Sequence, residues 1–136
     1  DSTTKSLAWQ TIAGLGVNTV LVMGLKYTVN RTRPYDKYPD IHAYTHESDP
    51  SFPSGHTSYA FAVATTLAIE YPRWYVIVPS YAYAATVGYS RLYLGMHYPS
   101  DVLVGAAIGA GSAWLGYKGN QWLHKHRHKH KISSTN

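Results

Sequence analysis

Long uncharged stretches divided by short polar breaks set the pattern of this chain. Residues 7–25 are uncharged and mostly apolar, with Gln10, Thr11, Asn18 and Thr19 as polar interruptions and Gly14, Gly16 and Gly24 as weak points. They predict a helix that continues past Lys26 and stops near Arg33, because Pro34 disfavours a helical residue before it. Residues 35–52 mix Pro, Asp, His and Tyr without a period and predict a long loop, of the length that in compact domains often serves as a lid. Pro53-Ser54-Gly55 is a helix start with Ser54 as N-cap, and the helix over 57–69 ends at Tyr71-Pro72. A further helix is predicted over 74–90, with Pro79 near its start or kinking it, then a connection over 92–98. Pro99 opens a last helix reaching Leu115 or beyond, on which Gly105, Gly109, Gly111, Ala106, Ala107 and Ala110 permit close packing. With no repeat and no credible strand pair, the expected fold is all-α, a helical bundle over residues 1–123 followed by a basic, His-rich tail over 124–136.

Composition narrows this picture. At 136 residues the chain is one domain, and thirteen Tyr and four Trp with few charges exclude disorder. The absence of Cys excludes a disulfide scaffold, a thiolate nucleophile and a zinc ribbon. A net charge of +5 suggests anionic partners, although much of it comes from the last dozen residues. Opening on Asp1 with no leader pattern, the chain reads as a processed or trimmed product.

The placement of charge points to chemistry. Between Trp74 and Tyr117 the only charged residues are Arg91 and Asp101, with His97 between them, and Asp101 is the sole carboxylate after Glu70. Isolated charges on apolar helices are costly to bury, so they persist for a reason. One reason is a structural Arg91–Asp101 ion pair. The other is catalytic: a carboxylate four residues after an imidazole can hold its Nδ1–H and leave Nε2 as nucleophile or base. Both stay open on spacing alone. Ser54-Gly55-His56 enters a helix with free amides at the positive end of the dipole, which favours phosphate; simple capping beside a surface His is the plainer reading. Lys26 and Arg33 lie about two helical turns apart and can share a face. Arg31 falls off that face and is expected in solvent.

Taken together, Lys26-x6-Arg33-Pro34, Pro53-Ser54-Gly55-His56 and Ser90-Arg91-x5-His97-x3-Asp101 resemble the three-part signature of the phosphatidic acid phosphatase type 2 superfamily, whose members include lipid phosphate phosphatases, bacterial non-specific acid phosphatases and vanadium-dependent haloperoxidases. The motifs span residues 26–101. The resemblance implies a bundle with its active site at helix ends and a phosphatase that needs no metal. Lys26, Arg33, Arg91, Ser54 and the Gly55 amide would bind the phosphate oxygens. His97 would attack phosphorus to give a phosphohistidine, Asp101 would orient its ring, and His56 would protonate the leaving oxygen. No cofactor is implied, although vanadate or phosphate could fill the site. The chain departs from the family in carrying about one helix before Lys26, which leaves oligomerisation or loss of upstream helices as expectations.

Two alternatives stand beside this reading: a haloperoxidase holding vanadate on His97, and a non-enzymatic basic module binding metal or anionic lipid through the tail. The run from His124 to Lys131 reads first as a solvated basic tail, with metal chelation by its alternate His residues as the sharper option. It is too short and lacks the aromatics of a nucleic-acid footprint, so no nucleic-acid partner is expected. His42 and His46 read as exposed loop residues. The uncharged stretches at 7–25, 74–90 and 102–117 are at or below spanning length. The expected setting is therefore extracytoplasmic or periplasmic, soluble or peripheral on a membrane, with an integral membrane protein as the alternative. The substrate class is a phosphorylated lipid or small phosphoester.

Overall fold

A computed structural model describes residues 2–41 and 49–135. His42 and His46 lie outside the described residues. The elements are α1 (Ser2–Val29), α2 (Pro34–Lys37), α3 (Gly55–Glu70), α4 (Trp74–Tyr93) and α5 (Pro99–Ser134), with no strand among the described residues. The all-α expectation holds.

Helix ends follow local chemistry. α1 stops short of Arg33 because Asn30 turns left-handed at φ 52°, while its N–H still reaches the Lys26 carbonyl at 2.8 Å. The segment predicted to be loop begins with the single turn α2, for which Pro34 supplies a pre-set first residue. α3 begins at Gly55, earlier than predicted, with the Ser54 side chain accepting from Thr57 N–H as a cap. Pro79 sits inside α4, which continues to Tyr93, and Gly95 makes the left-handed exit at φ 69°.

α5 runs on through the basic segment to Ser134, so His124 to Lys131 are helical and exposed. Helical geometry puts His124 and His128 on one side and His126 and His130 on the other. The four rings therefore cannot converge on one ion, and any chelation is limited to one i,i+4 pair at a time.

α5 is the central element, packing along both α1 and α3, while α4 rests mainly on α3. The contact is close because α5 is small along one face. A Cβ on Gly105 would stand 2.6 Å from the Ser54 carbonyl, and one on Gly116 would stand 2.9 Å from the Gln10 carbonyl. Gly109 leaves no room against the Ser58 carbonyl, whereas Gly111 faces open space. The expected small-residue packing therefore applies to Gly105 and Gly109 and not to Gly111.

The interior is polar and small, and the exterior is apolar. Gln10, Asn18, Thr57, Ser58, Thr65 and Ser112 are buried, with the Ser58 hydroxyl donating to Asn18. Trp9, Val20, Tyr27, Trp74, Tyr83, Tyr93 and Leu103 are exposed. Thr4–Lys37 contains a stretch long and apolar enough to cross a membrane by length and composition, and only 22% of that stretch is buried within the protein.

Candidate active site

One end of the bundle gathers the end of α1, the starts of α3 and α5, and the end of α4. The Ser54 N–H donates to the Asp101 carbonyl at 3.0 Å and ties the start of α3 to the first turn of α5. Within the frame lies a cavity of about 770 Å³ whose lining includes Lys26, Arg33, Asp49, Gly55, His56, Arg91 and His97. Six of the residues expected from sequence therefore line one space: Lys26, Arg33, Gly55, His56, Arg91 and His97. Ser54 and Asp101 stand behind it, both fully buried.

Hydrogen-bond roles fix the protonation of His97. Its Nδ1 is 2.7 Å from the carbonyl of Ser51, a group that only accepts. Its Nε2 is 3.1 Å from Arg33 Nη1, a group that only donates. Nδ1 therefore carries the proton, and Nε2 carries a lone pair on the cavity side. The ring is buried, with Arg33 packed against it and anchored by a second bond from Nη1 to the Met96 carbonyl at 3.0 Å.

Asp101 does not hold that ring directly, as the spacing had suggested. Its Oδ2 is 3.7 Å from His97 Nδ1, beyond hydrogen-bond range, because the Ser51 carbonyl takes the N–H. The carboxylate instead accepts from the Ser51 hydroxyl, from Tyr98 N–H at 2.8 Å and from Arg31 Nη1 at 2.9 Å. As the acidic residue in the first turn of α5 it also complements the helix dipole. Arg31, expected in solvent, is thus the ion-pair partner of Asp101; it also donates to Ser100 Oγ at 2.7 Å and lies over the Phe52 and Tyr98 rings. Arg91 turns to the cavity, with Nη1 3.2 Å from Met96 Sδ.

Ser54 takes its expected place as N-cap but does not line the cavity. Its hydroxyl donates to Thr57 Oγ1 at 2.9 Å and accepts from Thr57 N–H at 3.4 Å, so the side chain serves the cap. What α3 offers an anion is its first-turn backbone, beginning at Gly55, and the exposed ring of His56.

Sequence reasoning missed the segment from Asp49 to Ser51. Asp49 Oδ2 pairs with Lys26 Nζ at 3.0 Å and Oδ1 with Arg33 Nη2 at 2.9 Å, while its carbonyl accepts from Arg33 Nε at 3.0 Å. The Pro50 carbonyl accepts from Lys26 at 2.8 Å, and Ser51 binds His97 and Asp101 as described. Burial raises the Asp49 carboxyl, but the hydrogen bond from Lys26 and the charges of Lys26 and Arg33 together outweigh it and hold the group below its ordinary 3.8. The only signal in the sequence was position: Asp49 is the last carboxylate before the helix start. No group of three or more His, Asp and Glu side chains that could hold a metal ion occurs among the described residues.

A second cavity of about 770 Å³ lies at the far end of α1 and α5. Trp9, Leu115, Trp122 and Leu123 make its walls apolar, and no motif residue reaches it.

The fold has close parallels among known proteins. The crystal structure of LpxE from Aquifex aeolicus superposes with a TM-score of 0.79 at 35% identity, covering 84% of this chain and 68% of that one. The transmembrane PAP2 type phosphatidylglycerolphosphate phosphatase of Bacillus subtilis superposes with a TM-score of 0.67 at 31% identity, covering 82% and 57%. A lipid A 1-phosphatase of Porphyromonas gingivalis is 36% identical over 107 residues, covering 76% of this chain and 22% of that protein. The chain spans only 22–52% of the length of such curated relatives. The sequence pattern of the PAP2 superfamily matches residues 7–125, from the first turns of α1 into the basic segment, and the chain belongs to that superfamily.

Proposed function

We propose that this chain is a metal-independent phosphatase that hydrolyses a lipid-borne phosphate monoester through a phosphohistidine on His97. One observation carries the reading. The unprotonated Nε2 of a buried imidazole faces a cavity whose walls also carry Lys26, Arg33, Arg91 and the start of α3. Phosphoryl transfer asks chiefly for positioning and for positive charge around the equatorial oxygens, and these groups supply both.

In this mechanism the phosphate oxygens settle on Lys26, Arg33, Arg91 and the first amides of α3. Nε2 of His97 forms a bond to phosphorus as the bond to the leaving oxygen breaks. His56 gives that oxygen its proton. The imidazolium character that develops on His97 is shared with the Ser51 carbonyl on Nδ1–H, and the Asp101 carboxylate nearby adds favourable charge. Neutral His56 then takes a proton from water, which attacks the phosphohistidine and releases inorganic phosphate.

The lipid character of the substrate rests on two supports. Two relatives are named for phosphorylated lipids, lipid A and phosphatidylglycerolphosphate. The outward face carries large apolar side chains while the polar ones are inside, which suits a hydrocarbon surrounding better than water. Of the two settings weighed from sequence, this favours the integral one, with the site at the polar boundary of the helices.

The test is phosphate release from p-nitrophenyl phosphate, a phosphatidic acid and a lipid A phosphate in detergent. His97→Ala and Arg91→Ala should each abolish it, vanadate should inhibit it, and EDTA should leave it intact. Full activity in His97→Ala would defeat the mechanism. Extraction of active protein without detergent would defeat the membrane setting.

A further inference from the structure

The carboxylate of Asp49 stands where the substrate's phosphate is expected. Its two oxygens are divided between the two cations, Oδ2 on Lys26 at 3.0 Å and Oδ1 on Arg33 at 2.9 Å, as two oxygens of a phosphate would be. Arg33 in turn places Nη1 3.1 Å from the lone pair of His97 Nε2. In this state both cations and the nucleophile are engaged by the protein itself. Asp49 lines the cavity and its side chain is 34% exposed, against 5% for Lys26 and 1% for Arg33, so it lies at the mouth with a path to solvent.

We propose that Asp49 is an internal stand-in for phosphate, which holds Lys26 and Arg33 in place while the site is empty and is displaced by the incoming anion. The proposal rests on the phosphatase reading above and adds a gate to it. Lys26 and Arg33 are buried, and two buried cations with no anion between them would repel each other and drift from their productive positions. A dianionic phosphate carries more charge than a carboxylate and reaches further cations, so it wins the exchange. A neutral headgroup offers no charge to exchange and is turned away. Displacement needs the Asp49 side chain to rotate outward and Arg33 Nη1 to shift from the His97 Nε2 lone pair onto a phosphate oxygen. The Pro50 and Ser51 carbonyls keep their bonds to Lys26 and His97, so the nucleophile's tautomer survives the exchange.

Asp49→Asn and Asp49→Ser test this with inorganic phosphate binding by calorimetry, orthovanadate inhibition, and KM and kcat on p-nitrophenyl phosphate. Removing the charge should tighten phosphate and vanadate on the order of tenfold, the sum of two partly exposed ion pairs, and lower KM in step with smaller change in kcat. Asp49→Glu, which keeps the charge, should stay within about threefold of wild type. Unchanged or weaker anion binding in the folded Asn and Ser variants would overturn the proposal and make Asp49 a fixed part of the cradle. Unfolding of both variants that added phosphate does not reverse would overturn it too, since a displaceable group can be replaced by what displaces it. A wild-type protein that neither binds phosphate nor releases it from any ester would instead sink the phosphatase reading, which separates the two failures.

Discussion

The Nδ1–H of His97 donates to the Ser51 carbonyl across 2.7 Å, and the hydroxyl of the same serine donates to Asp101. One residue therefore orients the imidazole through its main chain and anchors the carboxylate through its side chain. The two functions can be separated, because substitution removes a hydroxyl and leaves a carbonyl.

Ser51→Ala should keep the tautomer of His97 and lose only one of the donors to Asp101. Tyr98 N–H and Arg31 still hold that carboxylate. A hydrogen bond to a charged group contributes about 1.5–3 kcal/mol to stability, so the unfolding midpoint should fall, while turnover drops by no more than about tenfold with KM little changed. Thermal unfolding and steady-state kinetics on p-nitrophenyl phosphate read the two directly. A loss as complete as that of His97→Ala would mean that the hydroxyl itself takes part in the chemistry.

His56 makes a second separable case. It is exposed at the mouth and sits in the first turn of α3, where it can reach a leaving oxygen. General acid catalysis contributes about 10²–10⁴-fold, and most when the leaving group is a poor one. His56→Ala should therefore lower kcat/KM for an alkyl phosphate far more than for p-nitrophenyl phosphate, whose leaving group departs without help, while hydrolysis of the shared phosphohistidine slows equally for both. Equal losses in kcat/KM on the two substrates would remove His56 from the role of acid.

Much of this site was legible in the sequence, and the parts that were not share a cause. Lys26, Gly55, His56 and Arg91 are set by helix periodicity or a helix start, and those signals are local; Arg33 and His97 lie on irregular backbone past the ends of α1 and α4 and were legible only through the motif resemblance. Asp49, Arg31 and Ser51 escaped because they too act from irregular backbone, where no period says which way a side chain turns, and no motif names them. Arg31 follows the left-handed Asn30, and that turn carries it back over Asp101 instead of out to water. The Ser51 carbonyl could not be foreseen for a second reason: a main-chain acceptor has no residue type, so His97–Asp101 spacing looked like the obvious pair. Polar residues of the uncharged stretches turn inward, since Asn18 and Ser112 are buried, as is Ser58.

The pH response of the Asp49 clasp follows from its direction of shift. Its folded carboxyl lies below the ordinary 3.8, since Lys26 and Arg33 outweigh the opposing effect of burial. A depressed carboxyl contributes stability that is present above the unfolded value, about 3.9, and lost as pH falls through the folded one. The clasp should therefore hold at neutral pH and loosen only in acid, below about pH 4. Thermal unfolding followed from pH 7 to pH 3 should show a drop that Asp49→Asn reduces. An identical acid drop in that variant would assign the sensitivity to other carboxylates.

Packing of α5 against α3 gives the last expectation, and it reaches the site. A methyl on Gly109 would meet the Ser58 carbonyl and stand 2.9 Å from Ala62 N, both main-chain atoms of α3 that no rotamer change can move. The helices would have to part. Overpacking of this kind costs about 1–3 kcal/mol, so Gly109→Ala should lower the unfolding midpoint in detergent. Because α3 carries His56 and the anion-binding amides at its start, the same displacement should also cut turnover. Gly111 lies on the same helix, two residues on, but faces open space. Gly111→Ala should lose nothing and gain up to about 1 kcal/mol of helix propensity. The pair thus tests whether the small face of α5 is what holds the catalytic end together. Equal stability and turnover in the two variants would show that the α3–α5 approach is looser than this packing requires.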